Sequence, residues 1–127
     1  MTKTIMIVDD SVSLRQVAGV TLRGAGYQVT EACDGKDALD KLNGQKVHLV
    51  ISDINMPNMD GITFVKKMKQ LPDYKFTPVI MLTFGFQEGN KQEAQKQEAR
   101  EAGVKAWIRK PFEPAQMLAA VAKLVMQ

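Results

Sequence analysis

Short apolar runs alternate with longer, more polar stretches along the chain. The runs are rich in Ile and Val, which is typical of buried strands. In most of the longer stretches apolar residues recur at spacings of three and four, which indicates helices. The predicted strands are Thr4–Val8, Gln28–Ala32, Val47–Ser52, Pro78–Leu82 and Lys105–Ile108. The predicted helices are Val12–Arg23, Gly35–Leu42, Gly61–Leu71, Lys91–Ala102 and Glu113–Met126.

The order of these elements predicts the fold class. Each strand is followed by a helix, and the first, third and fourth strands are almost continuously apolar, as strands covered on both faces are. The second strand has mixed polarity and suits an edge position. Five such units are too few for a closed eightfold barrel. We therefore predict an α/β fold, a flavodoxin-like (βα)5 doubly wound five-stranded parallel sheet of order 2-1-3-4-5. One domain is expected to span residues 1–127.

Composition and charge exclude several classes of protein. Hydrophobic residues make up 45% and charged residues 24% of the chain, as in ordinary globular domains. The apolar runs are too short to cross a membrane, and one cysteine, Cys33, suits a reducing cytoplasm and is expected to fill a small buried space. The net charge is +3, but the one tight basic cluster, Lys66, Lys67 and Lys69, is interpreted as a solvated helix face. We expect a monomer without nucleic acid or membrane partners.

Polar side chains stand at the ends of four predicted strands. They are Asp9 and Asp10 at the first strand, Ser52 and Asp53 at the third, Thr83 at the fourth and Lys110 at the fifth. The carboxyl ends of parallel strands meet at one edge of the sheet, so three carboxylates, a hydroxyl and an ammonium group are expected together. Mg²⁺ would relieve the repulsion between the carboxylates. The remaining free carboxylate oxygen points to acyl phosphate formation on an aspartate.

Each of these residues also has a simpler interpretation. Asp9 and Asp10 suit the amino end of the first helix, where negative charge is favourable. Asp53 suits a turn with Asn55, and Lys110 alone would be an ordinary surface lysine. The combination at four strand ends favours the chemical interpretation.

Four segments of the sequence carry a resemblance to a known family. They are IMIVDD at 5–10, SDINMPNMDG at 52–61, IMLT at 80–83 and KPF at 110–112. In this order and spacing they resemble response-regulator receiver domains, and most closely the stand-alone regulators of chemotaxis. The resemblance covers essentially the whole chain.

The resemblance implies roles for the acidic residues. Asp53 would be the phosphoacceptor. Asp10 and Asp53 would bind Mg²⁺ directly together with the backbone carbonyl of Asn55, and Asp9 would act through a bound water molecule.

The resemblance also implies a switch, with two departures from the family pattern. Thr83 would follow the phosphoryl group, Lys110 would pair with it, and the Lys110–Pro111 bond would be cis. Trp107 stands where the family has Tyr or Phe, and we interpret it as the switch residue rather than a plain core residue. Phe84 replaces a small residue and either covers the site or packs outward. The segment between Thr83 and Lys110 is also longer than in a usual member.

The implied function is a phosphorylation-activated switch of a two-component system. A histidine kinase would supply the phosphoryl group, and the domain would catalyse the transfer and its own dephosphorylation, with a phosphatase as a further partner. Output would be protein binding, in a chemotaxis setting to a flagellar motor switch protein. The alternative is a phosphate sink or relay without a motor partner. A phosphohydrolase is disfavoured because Asn55 stands where such enzymes need a second acid.

Overall fold

The computed structural model describes residues 2–83 and 90–125, which form five strands and five α-helices. The strands are β1 (Thr4–Val8), β2 (Gln28–Ala32), β3 (Leu49–Asp53), β4 (Val79–Thr83) and β5 (Val104–Arg109). The helices are α1 (Val12–Gly24), α2 (Gly35–Leu42), α3 (Gly61–Lys69), α4 (Asn90–Ala102) and α5 (Pro114–Val125). A short 3₁₀ turn at Pro72–Tyr74 was not predicted. The described part of the chain contains no helix long and apolar enough to cross a membrane.

The sheet has the predicted order, β2-β1-β3-β4-β5, and every pair of neighbouring strands is parallel. Alternate residues of the inner strands point to opposite faces. On one face Met6 and Val50 pack with residues of α2, α3 and α4. On the other face Ile5 and Ile51 pack with residues of α1 and α5. Both faces of the three inner strands are therefore buried, which explains their nearly continuous apolar sequence.

The third strand and the third helix differ from their predicted bounds by two residues at one end, whereas every other element agrees within one residue at each end. The third strand begins at Leu49 rather than Val47, because the His48 ring accepts the Thr4 backbone N–H at 3.0 Å in place of a strand carbonyl. It ends at Asp53 rather than Ser52, so Asp53 belongs to the strand itself. The third helix ends at Lys69 rather than Leu71, because Leu71 precedes Pro72 and has the extended backbone that a proline imposes on its neighbour.

One further expectation from the sequence was wrong, and another was correct only in part. Cys33 is exposed rather than buried, because it lies in the short link between β2 and α2. The solvated face predicted for the lysines of α3 is correct for Lys66 and Lys67, which are exposed, and Lys66 also pairs with Glu98 of α4. Lys69 instead is half-buried and donates to the Thr77 carbonyl.

Gly61 fixes the distance between α3 and the end of β3. Its N–H donates to the Ile54 carbonyl at 2.8 Å, and Asp60, the preceding residue, caps the helix by accepting the Thr63 N–H. A Cβ atom at Gly61 would lie 2.2 Å from the Asp53 carbonyl oxygen. The glycine is needed here because the backbone of the Asp53 segment passes directly over the start of the helix.

Replacing Gly61 by alanine should therefore destabilise the protein and displace the backbone at Asp53. Overpacking of this kind costs about 1–3 kcal/mol. The urea unfolding midpoint of Gly61→Ala is expected to fall accordingly, with an unchanged m value.

Gly24→Ala is the matched control, because a Cβ atom at Gly24 meets nothing within 4 Å. Its midpoint should stay the same or rise, since alanine favours a helix more than glycine does. A Gly61→Ala midpoint equal to that of the parent protein would contradict the close approach.

Candidate functional site

Three carboxylates gather where β1 and β3 end. Asp9 and Asp10 directly follow β1, and Asp53 is the last residue of β3, the strand paired with β1. One oxygen from each of the three lies within 4.8 Å of the others. Asp9 and Asp53 are buried, whereas Asp10 is exposed. The structure thus brings together the acidic residues that the strand ends predicted, in an arrangement that could hold a metal ion.

Lys110 places a positive charge between two of these carboxylates. Its Nζ lies 2.8 Å from Asp9 Oδ2 and 3.3 Å from Asp53 Oδ2, and its side chain is only 5% exposed. The lysine directly follows β5, and its backbone N–H donates to the Thr83 carbonyl at 2.6 Å. The Lys110–Pro111 peptide bond is cis. The residue interpreted as an ordinary surface lysine in the simpler reading is therefore buried against the acidic cluster.

Asp9 keeps one oxygen incompletely coordinated. Its Oδ1 accepts the Ser11 backbone N–H at 2.9 Å. Its Oδ2 contacts the Lys110 ammonium, but among the described residues no donor forms a well-directed hydrogen bond with it. Buried oxygens normally have such a partner. This oxygen therefore retains lone pairs for a further ligand.

The alternative interpretation of the two aspartates as helix caps is only partly correct. The N-cap of α1 is Ser11, whose hydroxyl accepts the Leu14 N–H at 3.2 Å. Asp9 assists by accepting the Ser11 N–H, so one carboxylate has both a local structural contact and a contact with Lys110.

The electrostatics of the site leave Asp53 with excess negative charge. Burial raises the pKa of Asp53, and the nearby Asp9 carboxylate raises it further. The Lys110 ammonium and a hydrogen bond from the Asn55 backbone act in the opposite direction but do not cancel these effects. An additional cation beside Asp53 would be favourable.

Thr83 and Trp107 belong to one face of the sheet, in the neighbouring strands β4 and β5. Thr83 is the last residue of β4 and is buried. Trp107 in β5 is paired with Met81, two residues before Thr83, and packs partly buried against the core cluster that contains Met81. Side chains two residues apart in a strand share a face. Phe84, the predicted access residue, lies outside the described residues.

Arg15 is a supporting residue that sequence reasoning missed. Its Nη1 donates to the Asp9 carbonyl at 2.6 Å, and its Nε pairs with Glu31 of β2 at 3.3 Å. The side chain is only 15% exposed. It lies in the first turn of α1, next to the apolar Leu14, and this position was the signal in the sequence that the side chain turns inward.

The strand order and the acidic cluster define the receiver class of α/β signalling domains. The sequence profile described as "Response regulator receiver domain" matches residues 5–122, and the chain belongs to this family. It is a receiver domain of two-component systems, as the family resemblance in the sequence implied.

Several named relatives within this family are chemotaxis proteins. The chain is 39% identical to chemotaxis protein CheY1 of Helicobacter pylori over 112 residues, covering 87% of this chain and 86% of that protein. It is 34% identical to chemotaxis protein CheY of Thermotoga maritima, covering 98% of both. Among solved structures, Vibrio cholerae chemotaxis protein CheY4 superposes with a TM-score of 0.89 at 39% identity, covering 98% of this chain and 99% of that one. The chain is thus similar to receivers that stand alone.

Replacing Asp53 by asparagine should stabilise the protein at neutral pH without divalent cations. Because folding raises the pKa of Asp53 above its ordinary 3.8, the unfolded chain loses this proton first as the pH rises. Ionisation then lowers the free energy of unfolding across that window. We expect the Tm of Asp53→Asn to exceed that of the parent by about 4 °C at pH 7. This shift corresponds to an increase of about 1 kcal/mol in the free energy of unfolding. The difference should close below pH 3.8.

Asp40→Asn provides the control, because Asp40 is an exposed carboxylate on α2. Thermal unfolding of this variant should follow that of the parent at every pH. An equal or lower Tm of Asp53→Asn at pH 7, measured in a chelating buffer, would show that the charge on Asp53 is already compensated.

Proposed function

We propose that the protein is a phosphorylation-activated signalling switch, in which Asp53 accepts a phosphoryl group from a histidine kinase in the presence of Mg²⁺. The observation that carries this proposal is the buried Lys110 ammonium held between Asp9 and Asp53 beside the exposed Asp10. The chemotaxis names of the relatives support a role in chemotaxis signalling.

The donor set of the site fits Mg²⁺. Hard oxygen ligands are those this ion prefers, with one or two direct carboxylates. Asp10 and Asp53 would bind it directly together with the Asn55 backbone carbonyl, and Asp9 through a water molecule. The incompletely coordinated Asp9 oxygen supports such an additional partner. When bound, the ion supplies positive charge that offsets the charge of a transferring phosphoryl group.

The residues of the chain perform the transfer by position and charge. One Asp53 carboxylate oxygen attacks the phosphorus atom, a new O–P bond forms, and the bond from phosphorus to the kinase histidine nitrogen breaks. Lys110 is already 3.3 Å from Asp53, and its pairing with Asp9 keeps the ammonium in place during the reaction. The ammonium therefore needs little rearrangement to accompany the phosphoryl oxygens.

Output in this proposal is protein binding by a single receiver domain in the cytoplasm. Thr83 follows the phosphoryl group, and Trp107 responds on the same face of the sheet. The chemotaxis setting makes a flagellar motor switch protein the target and a phosphatase a further partner.

A small phosphodonor should label Asp53. With radiolabelled acetyl phosphate and Mg²⁺ we expect a label that hydroxylamine removes, as it does from an acyl phosphate. Asp53→Asn should abolish the label, because the nucleophile is lost. Asp10→Asn should reduce the labelling rate by at least about tenfold, because a metal ligand is lost.

Asp40→Asn again serves as the control and should be labelled like the parent. Labelling of Asp53→Asn at the parental level would refute the phosphoacceptor assignment, and an unchanged rate in Asp10→Asn would refute the metal site.

Trp107 should report the switch, because it is the one tryptophan in the sequence. Binding of beryllofluoride with Mg²⁺ should draw the Thr83 hydroxyl toward the mimic and change the surroundings of the indole. We expect a change in intrinsic fluorescence, reduced to roughly half or less in Thr83→Ala because the coupling between the two states is lost.

Thr77→Ala, a substitution of a buried threonine before β4, should leave the fluorescence change intact. Identical emission and quencher accessibility with and without the mimic would show that Trp107 is a plain core residue.

A further inference from the structure

A basic face lies at the amino-terminal ends of the strands, opposite the acidic cluster. Because all strands are parallel, the segments that lead into them meet at this end of the sheet. Lys3 precedes β1, His48 precedes β3, Lys75 and Phe76 precede β4, and Lys105 is the second residue of β5. These five residues are called the basic face below.

Phe76 stands at the centre of the basic face. It is 88% exposed, and the Lys75 ammonium lies 5.7 Å from its ring centroid. Two grooves, of about 430 and 350 Å³, flank the ring, and both are lined by Phe76 and Lys105. The Phe76 ring therefore forms a ridge between the two grooves. Side chains of a bound segment could lie on either side of this ridge.

The larger groove combines an apolar lining with cationic groups. Pro78, Leu124 and Val125 contribute the apolar surface, and Lys3 and His48 contribute the polar surface. A ligand with an apolar side chain and neighbouring negative charges would match this lining.

The smaller groove has a rigid wall. Lys69 lies along Gly103, where a Cβ atom would be 3.0 Å from Lys69 Cε, and its ammonium donates to the Thr77 carbonyl. Lys75 lines the same groove. The ammonium of Lys69 is therefore fixed, whereas that of Lys75 reaches over the exposed ring.

The charges of the basic face are not neutralised by the side chains of residues 2–83 and 95–125. Lys3, Lys75 and Lys105 form no ion pair with a carboxylate of those residues. The neighbouring carboxylate is Asp73, which shares an adjoining groove with His48. Helix dipoles favour lysines in last turns, but Lys3 and Lys105 lie outside the helices.

The lysines of this face repel positive charge at the neighbouring Lys69 and disfavour the charged form of His48. The pKa of Lys69 is lowered mainly by burial, and the charge of Lys105 lowers it further. The pKa of His48 is lowered mainly by burial, and the charges of Lys3 and Lys46 lower it further. A ligand with several negative charges would relieve this repulsion on binding.

We propose that the basic face docks an acidic peptide segment, whose carboxylates contact Lys3, Lys75 and Lys105 while one apolar side chain packs beside Phe76. A peptide fits better than a lipid bilayer or a nucleic acid, because one of its side chains can enter the apolar groove while its carboxylates contact the lysines. The apolar side chains Pro78, Leu124 and Val125 line a groove beside the Phe76 ridge, and neither the flat surface of a bilayer nor the phosphates of a nucleic acid backbone would fill that groove.

Docking here does not depend on phosphorylation. The basic face and Asp53 lie at opposite ends of the strands, so a segment bound at one end leaves the other accessible. The proposal therefore stands or falls separately from the proposed phosphotransfer.

The test uses a fluorescein-labelled peptide of three Glu-Glu-Leu repeats, titrated into the full chain at low ionic strength. We expect saturable binding with amide NMR shifts at residues 3, 48, 75–77 and 105. Lys3→Gln, Lys75→Gln and Phe76→Ser should each weaken binding by about fivefold or more. Beryllofluoride with Mg²⁺ should leave the affinity unchanged within about twofold.

Matched substitutions elsewhere provide the controls. Lys67→Gln removes an exposed lysine of α3, and Val20→Ser removes a 72% exposed apolar residue of α1. Both should bind like the parent, and a Gln-Gln-Leu peptide should not bind. No binding, shifts outside the basic face, or equal losses in the control variants would overturn the proposal. Binding of phosphatidylglycerol vesicles or oligothymidine at this face without the peptide would also overturn it.

Discussion

The Lys110 ammonium, buried between Asp9 and Asp53, is the interaction on which the site depends. Without it, two carboxylates would share a crevice that water scarcely enters, and burial already disfavours the ionised form of Asp53. Removal of one member of a buried ion pair leaves an uncompensated charge, which is far more costly than the pair is favourable. The ends of β1, β3 and β5 are therefore constrained to a common position by electrostatics as well as by their hydrogen bonds.

The two-sided core makes this placement rigid. Alternate residues of the inner strands enter separate apolar clusters, so a shift of one residue in register would expose one set and misplace the strand ends together. Asp53 is additionally fixed from the helix side, where Gly61 approaches its carbonyl group, and Asp9 is fixed by Ser11 and Arg15. The acidic cluster is thus located at the ends of the buried inner strands, and the packing of those strands holds its side chains in position.

The sequence allowed the sheet order and the acidic cluster to be predicted, because both follow from strand polarity and from the common edge at which parallel strands end. It did not reveal contacts that depend on the path of one side chain. Arg15 reaches back to the Asp9 carbonyl, and Lys69 turns inward along Gly103, although both belong to helices whose polar positions look alike in sequence. The burial of Cys33 was wrongly predicted, because a single small residue in a short link belongs to no periodic pattern of apolar positions. The phosphoacceptor role of Asp53 and the Mg²⁺ ligands remain predictions.

The separation of Asp10 and its acidic neighbours from Lys3, Lys75 and Lys105 has a consequence before any contact is made. Opposite charges at the two ends of parallel strands give the molecule an electric dipole moment along the strand direction. In the field of a charged partner such a molecule experiences a torque, which turns one chosen end toward that partner during diffusion. At 0.1 M salt this orientation acts over about 10 Å, roughly one Debye length, and it weakens as ionic strength rises.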